Sequence, residues 1–282
     1  MGYLLPLFAA VLQAASVTVD KTVLSLKHIS YKIYTGISFP ILIVIDLIAL
    51  AVIQPPFNRD ALVNGNLLYL LLSAAIAIGS NLFYYRALKE DSLGEIQTWA
   101  LLAAFPTIML AGAVFPDERR TSVIIAALIA GMAVAWSHWK RHHFRIAKKT
   151  VPFLFWALAI YPFGSLLNKQ LLTVWHPVSL ELARDAAVAA VLGPLFWRQS
   201  AKVSKKALRL LVITNVLSAA AFILQGYSVR ANGVILTGLI YSLQPLLAYF
   251  SSVVILKDRL DWKKAVALVV VVVSILAVRI IG

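Results

Sequence analysis

Residues 16–25 read Ser16-Val17-Thr18-Val19-Asp20-Lys21-Thr22-Val23-Leu24-Ser25 and residues 164–173 read Gly164-Ser165-Leu166-Leu167-Asn168-Lys169-Gln170-Leu171-Leu172-Thr173, an offset of 148 that also lays His28 over His176. Each copy closes an apolar run long enough to cross a bilayer. The first run, with Ala14-Ala15-Ser16 near its end, has the look of a cleavable signal. No basic residue precedes it, however, and its end recurs in register deep in the chain, so it is expected to persist as a helix. The register continues: Thr98 and Pro106 lie over Thr237 and Pro245 at an offset of 139, and Glu118-Arg119 over Asp258-Arg259 at 140. The shortening fits a tighter loop between the second and third helices of the second copy.

Working outward, 61% of the 282 residues are apolar and 13% charged, about half the charge of an ordinary soluble domain. Apolar segments fall at 4–24, 31–53, 67–88, 93–114, 121–138, 151–173, 178–197, 207–229, 233–256 and 262–281. Each spans about 30 Å as a helix, and the alternating runs of about ten residues that mark a membrane barrel are missing. The expectation is an all-α, polytopic membrane protein of ten transmembrane helices. They divide into two five-helix repeats, 1–139 and 150–282, joined by a basic cytoplasmic linker at 140–149. An odd number of helices per repeat inverts one copy relative to the other.

The net charge of +14 would suggest nucleic acid for a soluble chain, but here the basic residues sit between apolar runs. The odd-numbered connections carry 18 lysines and arginines, among them Lys140, Arg141, Lys148, Lys149, Lys205 and Lys206. The other connections carry Arg59, Arg119, Arg120 and Arg230. Basic loops mark the cytoplasmic side, which places both termini on the outer side of the membrane and gives the loops anionic lipid head groups as partners, not nucleic acid. The lack of cysteine removes disulfides and thiol chemistry. The chain is expected to act as a monomer or homodimer.

Polar residues inside spans are costly and so carry information. Gln13, Ser16 and Asp20 follow helical spacing on the first segment, as Tyr161, Ser165 and Asn168 do on the sixth. The third and eighth add Ser73, Ser80, Asn81 and Tyr84, and Asn215, Ser218 and Gln225. The fourth and ninth add Glu95, Thr98 and Trp99, and Thr237, Tyr241 and Gln244. Such groups can merely join helices, but their recurrence on the same six segments points to a central polar cavity, with the fifth and tenth segments peripheral. Lys21 and Lys169 either snorkel to the interface or meet substrate charge near the pseudo-twofold axis. Asp20 is a candidate for proton coupling or for pairing with a lysine. Arg184 either neutralises Glu181 and Asp185 or faces an anionic substrate, and Asp46 is a further acid within a span. Pro106 and Pro245 each free a carbonyl in a span and are candidate hinges. Tyr84, Trp99 and Tyr241 could cage an organic cation. No enzyme motif is present, and the histidines lie at helix ends or in loops without metal-ligand spacing, so neither catalysis nor a cofactor is expected beyond coupling to a proton or cation.

The two-half pattern includes Tyr85-Arg86-Ala87-Leu88 before a proline-containing helix, the acidic-basic turns at Glu118 and Asp258, and the apolar last helix. It resembles the EamA family of the drug/metabolite transporter superfamily over essentially the whole chain. That resemblance implies a cavity lined by helices 1, 3, 4, 6, 8 and 9, alternating access, and a bacterial or archaeal plasma membrane. Many family members have cytoplasmic termini, opposite to the loop charges here. Asn168-Lys169 with His176-Pro177 is also similar to a segment of sugar-phosphate and nucleotide-sugar translocators. The expected function is a secondary carrier of a small polar metabolite such as an amino acid or amine. The alternatives are a carrier of sugar-phosphate or nucleotide-sugar anions and a flippase for lipid-linked substrates.

Overall fold

A computed structural model describes residues 3–63, 65–119, 121–138, 150–196, 203–257 and 261–281. The basic linker expected at 140–149, with His142 and His143, lies outside the described residues, as do Asp258 and Arg259. Among the described residues the fold is all helix, without a strand. The elements are α1 (Leu4–Ser25), α2 (Tyr31–Ile53), α3 (Asn66–Glu90), α4 (Leu93–Val114), α5 (Thr121–His138), α6 (Val151–Leu172), α7 (Pro177–Phe196), α8 (Lys205–Tyr241), α9 (Leu243–Ile255) and α10 (Trp262–Ile281).

The ends of these helices are written locally. Ser30, Ser92 and Ser204 accept from the amides of Ile33, Glu95 and Ala207 at 3.2, 3.3 and 3.2 Å, capping α2, α4 and α8. Gln54 closes α2 in the left-handed region, its amide bonded to the Leu50 carbonyl, and Pro55-Pro56 prevents resumption.

Six helical stretches among the described residues are long and apolar enough to cross a membrane: α1 to α4, α6 and the run Lys205–Ile255. That last run, 51 residues, would reach about 75 Å if straight, more than twice the hydrocarbon thickness. It bends at Gly233, whose φ of 79° and ψ of 175° are open to glycine but strained for other residues. The expected gap between the eighth and ninth apolar segments is therefore a kink inside α8, with a second break at Ser242 before α9.

The chain is apolar on both sides of its helices, as a membrane core requires. Leu67, Leu68, Leu71 and Leu72 of α3 and Leu4, Phe8 and Val11 of α1 face outward. Inside lie small residues such as Ala9, Ala10 and Ala14, which let helices approach closely. The packing partners exchange in a regular way. α1 lies along α8 and α9 while α6 lies along α3 and α4; α2 packs on α7, α4 on α9 and α5 on α10.

Candidate functional site

Asp20 is buried where α1, α2 and α8 meet. Tyr34 of α2 donates to its carboxylate, and so does Thr214 of α8 at 2.5 Å. The Thr214 hydroxyl also lies 2.9 Å from the Ser16 carbonyl, and Ser16 donates to the Thr214 carbonyl at 3.1 Å, so the expected polar stripe of α1 is zipped against α8. Ser218 donates to Gln13 at 3.4 Å one turn further along the same seam. Lys21, the next residue in sequence, donates to the carbonyls of Leu88 and Asp91 at 2.7 and 2.6 Å, where α3 gives way to α4.

A second polar chain crosses the bundle. Gln244 of α9 donates to Gln97 of α4 at 3.1 Å, and Gln97 donates to the Tyr84 hydroxyl of α3 at 3.0 Å. Tyr84 stands edge-on to Tyr85 with ring centres 5.3 Å apart, and Tyr85 lies 4.5 Å from Tyr34, so the chain and the Asp20 pocket share an aromatic wall. Tyr241 lies close enough to Tyr84, Tyr161 and Glu181 to interact electrostatically. Asn81 bonds back to the Ala77 carbonyl at 2.8 Å; with Tyr84, Gln225 and Tyr241 it keeps part of its surface open although it lies between helices.

Arg184 of α7 donates to Glu181 on its own helix and to Asn168 of α6 at 3.2 Å. Lys169, beside Asn168, turns away from this set to Glu118 at 2.5 Å and Asp117 at 3.4 Å, its ammonium 3.8 Å from the centre of the Phe115 ring. Glu118 also accepts from the Ile235 amide at 2.9 Å, just past the Gly233 bend. These groups border a cavity of about 280 Å³ with Arg230, Asn232 and Gly233. Beside it, His176 contacts the Tyr227 hydroxyl at 3.0 Å, and burial followed by the charge of Arg230 pushes the imidazole below its ordinary value.

Lys21 and Lys169 are not brought together. Lys21 reaches the residues just before α4 and Lys169 those just after it, so the two are separated by about the 33 Å length of a 22-residue helix. Glu95 also lies at a helix end, its carboxylate 4.0 Å from Lys264 of α10. Trp99 is packed in the apolar core with Leu93, Ile96 and Ala103. Pro106 sits within α4, and Pro245 in the first turn of α9. Among the described residues no three histidine, cysteine or acidic side chains form a metal site.

Three features escape sequence reasoning. Gln97 is the middle of the cross-bundle chain, and Tyr34 and Thr214 hold Asp20. The third is a π turn, Trp156–Ile160, in α6. Pro162, which has no amide hydrogen, follows it, and Trp156 fills the space left by Gly79 while donating to Ser80 at 2.9 Å.

This arrangement, an all-helical bundle of apolar spans threaded by polar side chains, is that of a multi-pass membrane protein. Residues 148–280 match the EamA-like transporter family, the family that the sequence resembles. None of the curated proteins matches the chain. A solved structure described only as the crystal structure of a protein shares the fold with a TM-score of 0.75 at 16% identity, covering 99% of this chain and 96% of that one.

Proposed function

We propose that the protein is a secondary carrier of a small polar organic metabolite, an amino acid or amine, in a plasma membrane. Its ten spans form two inverted five-helix halves, 1–139 and 150–282, that rock about a central cavity with Pro106, Pro245 and the Gly233 bend as hinges. Both termini are extracytoplasmic, and the basic loops lie against anionic lipid. The exchange of packing partners supports the inverted halves: α2 on α7, α4 on α9 and α5 on α10 join equivalent helices, as a twofold relation requires. The same relation exchanges α1 on α9 with α6 on α4.

The observation that carries the reading is the Gln244–Gln97–Tyr84 chain. Buried amides joined across three helices of an apolar bundle are expensive unless they serve to orient a polar ligand or to fix the two halves in one state. The substrate class follows from the cations. Arg184 is paired with Glu181, Lys169 with Glu118, and Lys21 donates to carbonyls at a helix end. The groups left open between the helices are phenols and amides, which suit an amine or zwitterion better than an organic phosphate.

The test is thermal stabilisation of the purified protein by amino acids, organic amines and organic phosphates, followed by counterflow in vesicles with any compound that stabilises. A ligand that binds only the folded state raises its stability by mass action. The reading requires an amine or amino acid to stabilise the wild type and to lose at least about tenfold in affinity in Tyr241→Ala. Stabilisation by organic phosphates alone would overturn the substrate class, and binding without counterflow would overturn the carrier.

A further inference from the structure

Further along α2, Phe39, Leu42 and Ile45 share one apolar cluster with Val188, Leu192 and Phe196 of α7. Next to Ile45, Asp46 is wholly buried, and neither of its carboxyl oxygens meets a hydrogen-bond donor. An isolated carboxylate in such a place would cost several kcal/mol, so its surroundings must compensate it. The groups that face it are all on α7: the carboxyls of Asp185 and Glu181 and the guanidinium of Arg184. The Asp185 carboxyl lies directly against that of Asp46. Two carboxylates in that relation repel, whereas a carboxyl and a carboxylate form a short, strong hydrogen bond.

The charge count points the same way. Asp46, Glu181 and Asp185 bring three negative charges against one from Arg184, and Glu181 already accepts from Arg184 through one guanidinium nitrogen. From the remaining helices packed here the facing ionisable groups are phenols: Tyr85 of α3 towards Asp185, Tyr161 of α6 towards Glu181 and Arg184, and Tyr241 of α8 towards Glu181. None supplies a positive charge. A metal ion would need its oxygens gathered about one point, and among the described residues no three acidic or histidine side chains are so placed.

We propose that Asp46 and Asp185 hold one shared proton between α2 and α7 and that this proton is the coupling ion of the carrier. The second clause rests on the carrier reading; the first does not. Release of the proton leaves two facing carboxylates, and Arg184 is then drawn towards Asp185 and away from its hydrogen bond to Asn168. Asn168 adjoins Lys169, which holds Glu118 beside the Gly233 bend, so the charge on α7 reaches the end of the bundle through α6.

Infrared difference spectra of the purified full chain, titrated from alkaline to acid pH in potassium and again in sodium, test the site without any substrate. The wild type is expected to keep a protonated-carboxyl band at neutral pH, insensitive to sodium. Asp46→Asn and Asp185→Asn should each lose it, and Asp60→Asn, in the loop before α3, should retain it. No such band in the wild type, its removal by sodium, its survival in both substitutions or its complete loss in Asp20→Asn would each overturn the site. For coupling, vesicles loaded with a pH dye receive the amine or amino acid that stabilises the protein. Wild-type vesicles should move protons, and Asp46→Asn vesicles should not while still binding the compound. A compound transported without proton movement overturns the coupling role and leaves the carrier standing, whereas absence of transport overturns the carrier and leaves the infrared result standing.

Discussion

Lys21 and Lys89 each close the end of the helix that carries the other. Lys21 of α1 donates to Leu88 and Asp91 at the end of α3, and Lys89 of α3 donates to Leu24 and, at 3.4 Å, to Leu26 at the end of α1. A cation at a helix C-terminus satisfies carbonyls that have no partner within the helix and complements the dipole. Lys21 therefore has a structural task at these carbonyls. Lys21→Met should destabilise the protein by about 1–2 kcal/mol, the loss of charged hydrogen bonds at a half-buried site. Lys89→Met should do the same, and because the two caps fasten one pair of helices, the double substitution should cost less than the sum. Thermal unfolding of the four forms in one detergent measures the coupling.

At the opposite end, Gly233 and Glu118 are in contact so close that a side chain at Gly233 would strike the Glu118 carboxyl. Gly233→Ala carries two penalties, the collision and a φ of 79° with ψ of 175° that alanine tolerates poorly. It should destabilise by about 2–4 kcal/mol. Glu118→Ala removes the collision but also releases Lys169 and the Ile235 amide. In the Glu118→Ala background, Gly233→Ala should cost only the backbone strain, about 1–3 kcal/mol. Equal cost in both backgrounds, read from thermal unfolding, would show that the contact with Glu118 contributes nothing.

Much of this was legible because it is local or repeated. The apolar segments that start at 31 and 93 open on the first residues of α2 and α4, and the Asp20/Asn168 register exposes the two related segments. The gap at 230–232 reads as a loop because a break in an apolar run does not say whether the helix stops or bends. Gln97 sits between Glu95 and Thr98 with nothing in its spacing to rank it above them; only the approach of α3 and α9 gives it partners. Asp46 is conspicuous as a buried acid, yet its facing carboxyl is 139 positions away on another helix, a tertiary fact that no periodicity contains.

The Gln97 amide is both acceptor and donor, so its removal strands two neighbours at once. Gln97→Leu leaves the Gln244 amide and the Tyr84 hydroxyl without the partners shown here. Each orphaned polar group costs about 1–3 kcal/mol, and the substitution should lower the unfolding temperature more than any single surface change. Gln97→Glu keeps both neighbours, since its oxygens accept from Gln244 and from the Tyr84 hydroxyl, but it places an acid at a buried site and so separates the cost of a buried charge from that of lost partners. A leucine substitution that unfolds at the wild-type temperature would remove the relay as a structural element.

His176 supplies a pH dependence whose sign can be worked out. Burial and Arg230 hold the folded imidazole below its ordinary value, so the unfolded chain binds the proton more readily. Stability from this residue is complete above about pH 6.5, the ordinary value, and declines as pH falls from there towards the lower folded value. His176→Gln keeps an acceptor within reach of Tyr227 and has no charge to gain. Subtracting its unfolding temperatures from those of the wild type, over roughly pH 8 to 5, cancels the titration of the carboxyl groups common to both. The difference should fall steadily on the acid side, and a difference that is flat, or that rises with acid, would mean that the imidazole is not disfavoured as a cation in the folded protein.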